Sequence, residues 1–391
     1  MAKAATGRRT AKRRRWPWIV AALAVLAAVL FFGLAPGIAE RSVNRIAGSG
    51  EWTVSPAAQA LHDRLVIADL HSDTLLWKRD PEKRAARGHV DLPRLRDGNV
   101  KLQVFSSVTK TPKNQNYDAN GGDTDNITLL AIAQLQPPRT WDSLLQRSLW
   151  HAERMRAAKG YRLVRTARDL DALLGDKAAT GALLSIEGLQ NLEGRLGNVD
   201  VLFDAGYRMA GLTHFFDNEL AGSMHGLEKG GLTPFGRDVI RRMEAKGMVV
   251  DLAHASHATV AEALKLVTKP VVYSHGGVKA TCDTNRNLTD EEIRGIAATG
   301  GVVGIGFWDA AVCAPTPQAT ARAMRHVRDL VGIDHVALGS DWDGATTVGV
   351  DAAHLAAVTQ ALLDQGFTQG EIGKAMGGNV VRVLRATLPR Q

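Results

Sequence analysis

Three residues in the stretch 65–76, LVIADLHSDTLL, carry side chains suited to gripping a cation: Asp69, His71 and Asp73. The run 65–70 is apolar enough for a short strand. Alternate side chains of an extended chain share a face, so the three are expected to point the same way. An imidazole and a carboxylate two residues apart at a strand's end can hold one divalent ion together. The pattern recurs downstream. LLSIEG ends next to Glu187, AGLTHF carries His214, VVDLAH ends in His254, VVYSH ends in His275, and VALGSDWDG carries Asp341 and Asp343.

Taken singly, each has a structural explanation. A histidine after a strand is ordinarily a hydrogen-bonded loop residue, and an aspartate there caps the next helix. Six such strand ends are a different matter, because parallel strands in a barrel bring them to one mouth. Three imidazoles with carboxylates and no thiolate suit zinc or a similar divalent ion. Five ligands are too many for one open catalytic zinc site. They divide between two ions if one carboxylate bridges, and Glu187 is the natural bridge.

The elements that must position these residues are eight apolar, β-branched runs at 65–70, 100–108, 181–186, 209–213, 248–252, 270–274, 301–307 and 335–339. Runs such as ALLSI and VVGIGF are apolar at nearly every position, as parallel strands buried on both faces must be. Between several of them lie amphipathic helical segments, for example 239–246 and 258–267. Eight strands alternating with helices predict an α/β fold, a (β/α)8 TIM-like barrel. An open doubly wound sheet is the alternative, but no Gly-rich phosphate fingerprint follows the first strand. The polar, Gly/Asn/Pro-rich stretch 118–139 is longer than a routine loop and reads as a lid or surface insertion.

The net charge of +8 over 391 residues invites a nucleic-acid reading until it is located. Seven positives lie at Lys3, Arg8, Arg9, Lys12, Arg13, Arg14 and Arg15, with no acid before Glu40. The basicity therefore belongs to the tail, and no nucleic-acid partner is expected. An uncharged run, 16–34, follows, at the length of a spanning helix, with Trp16 and Trp18 at its edge. Gly37-Ile38-Ala39 offers a small-residue cleavage site, so a signal sequence is the alternative. The expected division is a basic cytoplasmic tail at 1–15, a transmembrane anchor or signal at 16–36, a linker at 37–55 and a catalytic domain at 56–391. The N-terminus would be cytoplasmic and the domain exported, periplasmic or extracellular, or secreted after cleavage. Whether Cys282 and Cys313 pair is left open by the sequence.

The residues resemble the membrane dipeptidase (renal dipeptidase) family of the amidohydrolase superfamily, over roughly 65–384. The likeness rests on DLHSD at 69–73, SIEG at 185–188, LTH at 212–214, LTPFG at 232–236, DLAHAS at 251–256, SHGGVKATCDTNRN at 274–287 and GSDWDG at 339–344. It implies two zinc ions per chain: His71 and Asp73 on one, His254 and His275 on the other, Glu187 bridging. His214 would bind the scissile carbonyl region, Arg286 the substrate's terminal carboxylate, and Asp341 would move the proton. The implied reaction is dipeptide hydrolysis by a water shared between the ions. Trp308 stands after Phe307, where the family often carries a substrate-contacting tyrosine. A homodimer is common in such proteins, though no patch in the sequence argues for one. Of the other residues, Asp69 reads as support beneath His71, and Asp343 as support for the loop after Asp341. His225 is the least settled of the remaining histidines. Rival readings are another amidohydrolase activity on a carboxylate-bearing amide or lactone, such as N-acyl amino acid deacylation, and an inactive membrane-tethered binding protein.

Overall fold

The computed structural model describes residues 15–48 and 52–391; the basic tail, Arg15 apart, lies outside the described residues. Eight parallel strands form the barrel: β1 (Ile67–Ser72), β2 (Val100–Val108), β3 (Thr180–Glu187), β4 (Tyr207–Gly211), β5 (Val249–Asp251), β6 (Val272–Tyr273), β7 (Val302–Ile305) and β8 (Val336–Leu338). Neighbours run β2–β1–β8–β7–β6–β5–β4–β3, and β3 returns to β2 through pairs from Leu102–Gly181 to Val108–Glu187. The ring is closed.

Patterning explains the packing. One apolar cluster takes a side chain from every strand, from Ala68 of β1 through Leu183 of β3 to Ala337 of β8, so it fills the barrel interior. Leu173, Val380 and Leu384 belong to the same cluster, and Leu173 lies against Gly181 where β3 begins. A larger cluster lies between the strands' outer faces and the helices. Those helices start where the sequence supplies caps. Thr233 precedes Pro234–Lys246, Ser256 precedes His257–Leu266, and Thr289 with Glu292 forms a capping box for Asp290–Ala298.

Each of the eight apolar runs yields a strand, but several strands stop short of the run's end. There the backbone leaves the ladder, and His254 and Asp341 take positive φ values of 62° and 59°. Non-glycine residues hold that conformation only where their surroundings enforce it. The expected common face of Asp69, His71 and Asp73 is interrupted, because the pairing of β1 with β2 shifts register between Asp69 and Ser72.

The N-terminal apolar run forms a helix of 28 residues, Trp16–Val43, long enough to cross a membrane. It widens to a π-helical stretch at Val29–Leu34, just before Pro36. Proline has no N–H to donate, and its ring crowds the carbonyl four residues back. Residues 37–48, expected as part of a linker, are not an extended tether. The helix continues to Val43, and Arg45–Ile46 pairs in parallel with Thr347–Val348, in the loop after β8. Apolar and ionic contacts too distant in sequence to leave a local pattern fix it there. Cys282 and Cys313 are disulfide-bonded, with Cα atoms 5.3 Å apart. The bond ties the loop after β6 to the loop after β7.

Candidate metal centre and substrate pocket

Glu187 ends β3 and is buried, and its two oxygens face different partners. Oε2 lies 3.6 Å from His71 Nε2. Oε1 lies 2.8 Å from His254 Nε2, 3.2 Å from His275 Nε2 and 3.6 Å from His214 Nε2. His71 Nε2 is also 3.4 Å from Asp73 Oδ1 and 4.0 Å from Asp341 Oδ1. His254 and His275 bring their Nε2 atoms within 3.0 Å of each other, and the rings of His71 and His275 stack at 3.8 Å.

Do these residues fit metal ions? Two ligands at ordinary zinc distances in a tetrahedron are about 3.3 Å apart, close to the separations found. Both ring nitrogens of His71, Asp73 Oδ1 and Glu187 Oε2 are buried without a hydrogen-bond partner among the described residues. Buried polar atoms left unpaired are costly, and a bound cation would satisfy them together. Among the described residues, three sets have ligand atoms near enough to share an ion: His71–Glu187–His275, Glu187–His214–His254 and His71–Asp73–Asp341. The donors fit. His214 reaches the same carboxylate oxygen as His254, so distance alone makes it a fourth imidazole within ligand range.

The electrostatics point the same way. Burial and the neighbouring Glu187 push Asp73 up to about 7. Burial, then Asp73 and Glu187, raise Asp341 well above the usual carboxylate range. Burial would lower His71, but Glu187 and Asp73 outweigh it and hold it well above its ordinary value. Burial lowers His254 and His275, with Arg286 adding to both. Three buried carboxylates and four imidazoles thus crowd one enclosed space, with Arg286 Nη2 only 3.3 Å from His254 Nε2.

A family model described as membrane dipeptidase, peptidase family M19, matches residues 56–389. The chain belongs to the membrane dipeptidase family. Dipeptidase aclJ of Aspergillus oryzae is 29% identical over 354 residues, spanning 84% of this chain and 80% of its own length. Dipeptidase tcpJ of Claviceps purpurea is 30% identical over 310 residues, spanning 76% and 69%. The probable dipeptidase PvdM from Pseudomonas aeruginosa superposes with a TM-score of 0.72 at 19% identity, covering 86% of this chain and 98% of that one. A metallo peptidase from Rhodobacter sphaeroides, solved with a phosphinate mimic of the dipeptide L-Ala-D-Ala, gives 0.67 at 23%, covering 83% and 99%. Those two likenesses are of fold. With the family come the activity class, metal-dependent hydrolysis of dipeptides, and membership of the hydrolases.

In the dipeptidase Asp73, Glu187, His214 and His254 open onto a cavity of about 590 Å³, which Arg286, Trp308 and Asp341 also line. Arg286 is buried and donates to the His275 carbonyl (3.0 Å) and toward the Tyr273 hydroxyl (3.3 Å). Among the described residues no carboxylate pairs with it, which leaves its charge free for a ligand's.

Asp69 and Asp343 lie outside the cation sets. Asp69 accepts from Gln103 Nε2 (2.7 Å), from the Ser340 backbone and hydroxyl (2.8 Å each) and from the His71 backbone (3.2 Å). Asp343 pairs with Arg79 and accepts from Thr74 and the His89 backbone. His225 stacks on Phe215 at 4.5 Å and turns Nδ1 to the Tyr117 carbonyl. His62, His89, His151, His257, His326, His335 and His354 each have a hydrogen-bond partner away from these sets.

Two contributors left no mark in the sequence reading. Tyr117, immediately before the polar stretch 118–139, lines the cavity and accepts from Trp308 Nε1 at 3.2 Å. Ala39, Ser42 and Val43, from the helix at the N-terminus, line it too. Nothing periodic surrounds Tyr117. The helix residues do recur at helical spacing, but that spacing does not say what the face meets.

Proposed function

We propose that this chain is a zinc-dependent dipeptidase with two ions in the barrel mouth, one on His71 and Asp73, the other on His254 and His275, and Glu187 joining them. The observation that carries the reading is the division of Glu187, one oxygen toward His71 and the other toward His254 and His275. When bound, such ions supply Lewis acidity that polarises a carbonyl and eases deprotonation of water. The remaining work belongs to side chains. Arg286 takes the substrate's free carboxylate on its planar fork and so orients the peptide bond. His214 donates to the carbonyl oxygen as negative charge builds there. Asp341 Oδ1 receives the proton of the attacking water and returns it to the leaving amine.

The basic tail, 1–15, stays in the cytoplasm, the segment 16–36 is an anchor, and the catalytic part, 56–391, is exported. No side chain of Trp16–Ala28 is buried against the barrel, as a lipid-facing helix requires. The disulfide suits an oxidising compartment. Cleavage near 37–39 would cut inside a helix whose Pro36 and Glu40 are buried, which favours an uncleaved anchor.

Amine release from a panel of L,L and L,D dipeptides, with and without a chelator, tests the function. The expected result is hydrolysis that a chelator abolishes and zinc restores. Failure to cut any dipeptide, or faster cleavage of N-acyl amino acids, would overturn it.

A further inference from the structure

We propose that the helix Ala35–Val43 is one wall of the substrate site and selects dipeptides with a bulky apolar N-terminal residue, a proposal that rests on the dipeptidase reading of the mouth. Ala39, Ser42 and Val43 stand at i, i+3 and i+4, which places them on one helical face. That face is exposed and lines the cavity that Glu187, His214, Arg286 and Asp341 share.

The rest of the segment is fastened to the catalytic loops. Glu40 is buried and binds Arg79 Nε at 2.5 Å and Arg87 Nε at 2.6 Å, while Arg79 also pairs with Asp343. Asn44 accepts from the Ala345 backbone at 2.9 Å. His89 donates from Nε2 to the Arg45 carbonyl (3.0 Å) while its Nδ1 accepts from the Asp343 backbone (3.0 Å). The helix Ile127–Ala133 packs against both the π-helical stretch and Ala35–Val43. A wall held at so many points keeps its position when substrate enters.

The ring order supplies the specificity argument. Arg286 follows β6, and Val108 ends β2; each route around the closed ring from β6 to β2 takes four steps. The two therefore lie on opposite sides of the mouth. A dipeptide with its carboxylate on Arg286 points its N-terminal residue across the metal-ligand candidates toward Val108. There the cavity is lined by Leu76, Trp77, Ile127, Leu130 and Val43, with no charged group among them. At about 590 Å³ the cavity is far roomier than two small residues require. Apolar area there rewards a large apolar side chain and offers nothing to a glycine.

The test uses full-length protein in detergent and two dipeptide series. One varies the N-terminal residue from Gly to Phe before a fixed C-terminal Ala, and the other varies the C-terminal residue after a fixed N-terminal Ala. Wild type should favour Phe over Gly in the first series. Val43→Trp, at an exposed position, should fill the wall and lower the Phe-to-Gly ratio of kcat/KM by roughly tenfold or more, the second series keeping its ratios. Ala39→Phe, on the same face, should do the same. Unchanged ratios, or equal shifts in both series, would overturn the wall as a selector. Wild type that cuts dipeptides but prefers Gly would overturn this proposal alone, whereas wild type that cuts none overturns the dipeptidase reading and this proposal with it.

Discussion

Asp69 and Asp73 lie four residues apart at the end of β1, both buried, and their surroundings differ in kind. Asp69 is ringed by donors: Gln103, Ser340 twice and the His71 backbone. Asp73 leaves Oδ1 without a hydrogen bond, beside a His71 whose ring nitrogens have none either. Burial raises the pKa of both, but at Asp73 the charge of Glu187 adds to burial, whereas at Asp69 hydrogen bonds oppose it. A buried carboxylate with all its donors supplied by protein is part of the scaffold. One that lacks them, among imidazoles that lack them too, is a place for a cation. The distinction separates two residues of identical type four positions apart, and it agrees with the expectation that Asp69 supports His71 from beneath.

Substitutions can break that distinction. The largest effect is expected outside the pair, at Asp341, which the account assigns to proton transfer. Asp341→Asn should cut turnover on the order of 10³-fold while metal content stays at the wild-type level. Near-full turnover would remove Asp341 from the chemistry, and lost metal would make it a ligand. A smaller effect of another kind is expected at Asp69. Asp69→Asn should retain metal and most activity per folded molecule but lower stability by about 2 kcal/mol, read as a reduced unfolding midpoint. Loss of metal from Asp69→Asn would erase the contrast with Asp73.

The barrel was legible because parallel strands buried on both faces must be apolar at nearly every position, and the runs at 181–186 and 301–307 are. The strand-end residues were legible because a barrel places its strands' carboxyl ends at one mouth, where the structure brings His71, Glu187, His254 and His275 together. Asp69 was placed on the face of His71 by simple alternation, which the register shift in β1 interrupts. The docking of Glu40 on Arg79 and of Arg45 on Thr347 joins residues 39 and 302 positions apart, and no local pattern encodes such pairs. Tyr117 stayed hidden for the opposite reason: its segment has no periodicity, and its position depends on Asn120 and His225 holding the insertion over the mouth.

Every role proposed for the barrel mouth depends on the set around Glu187 holding two ions. Elemental analysis of purified full-length protein, wild type beside Glu187→Gln, tests it most directly. Wild type should carry about two zinc equivalents per chain and the variant one or fewer. Wild type without a divalent metal, or a variant that keeps both ions, would contradict it.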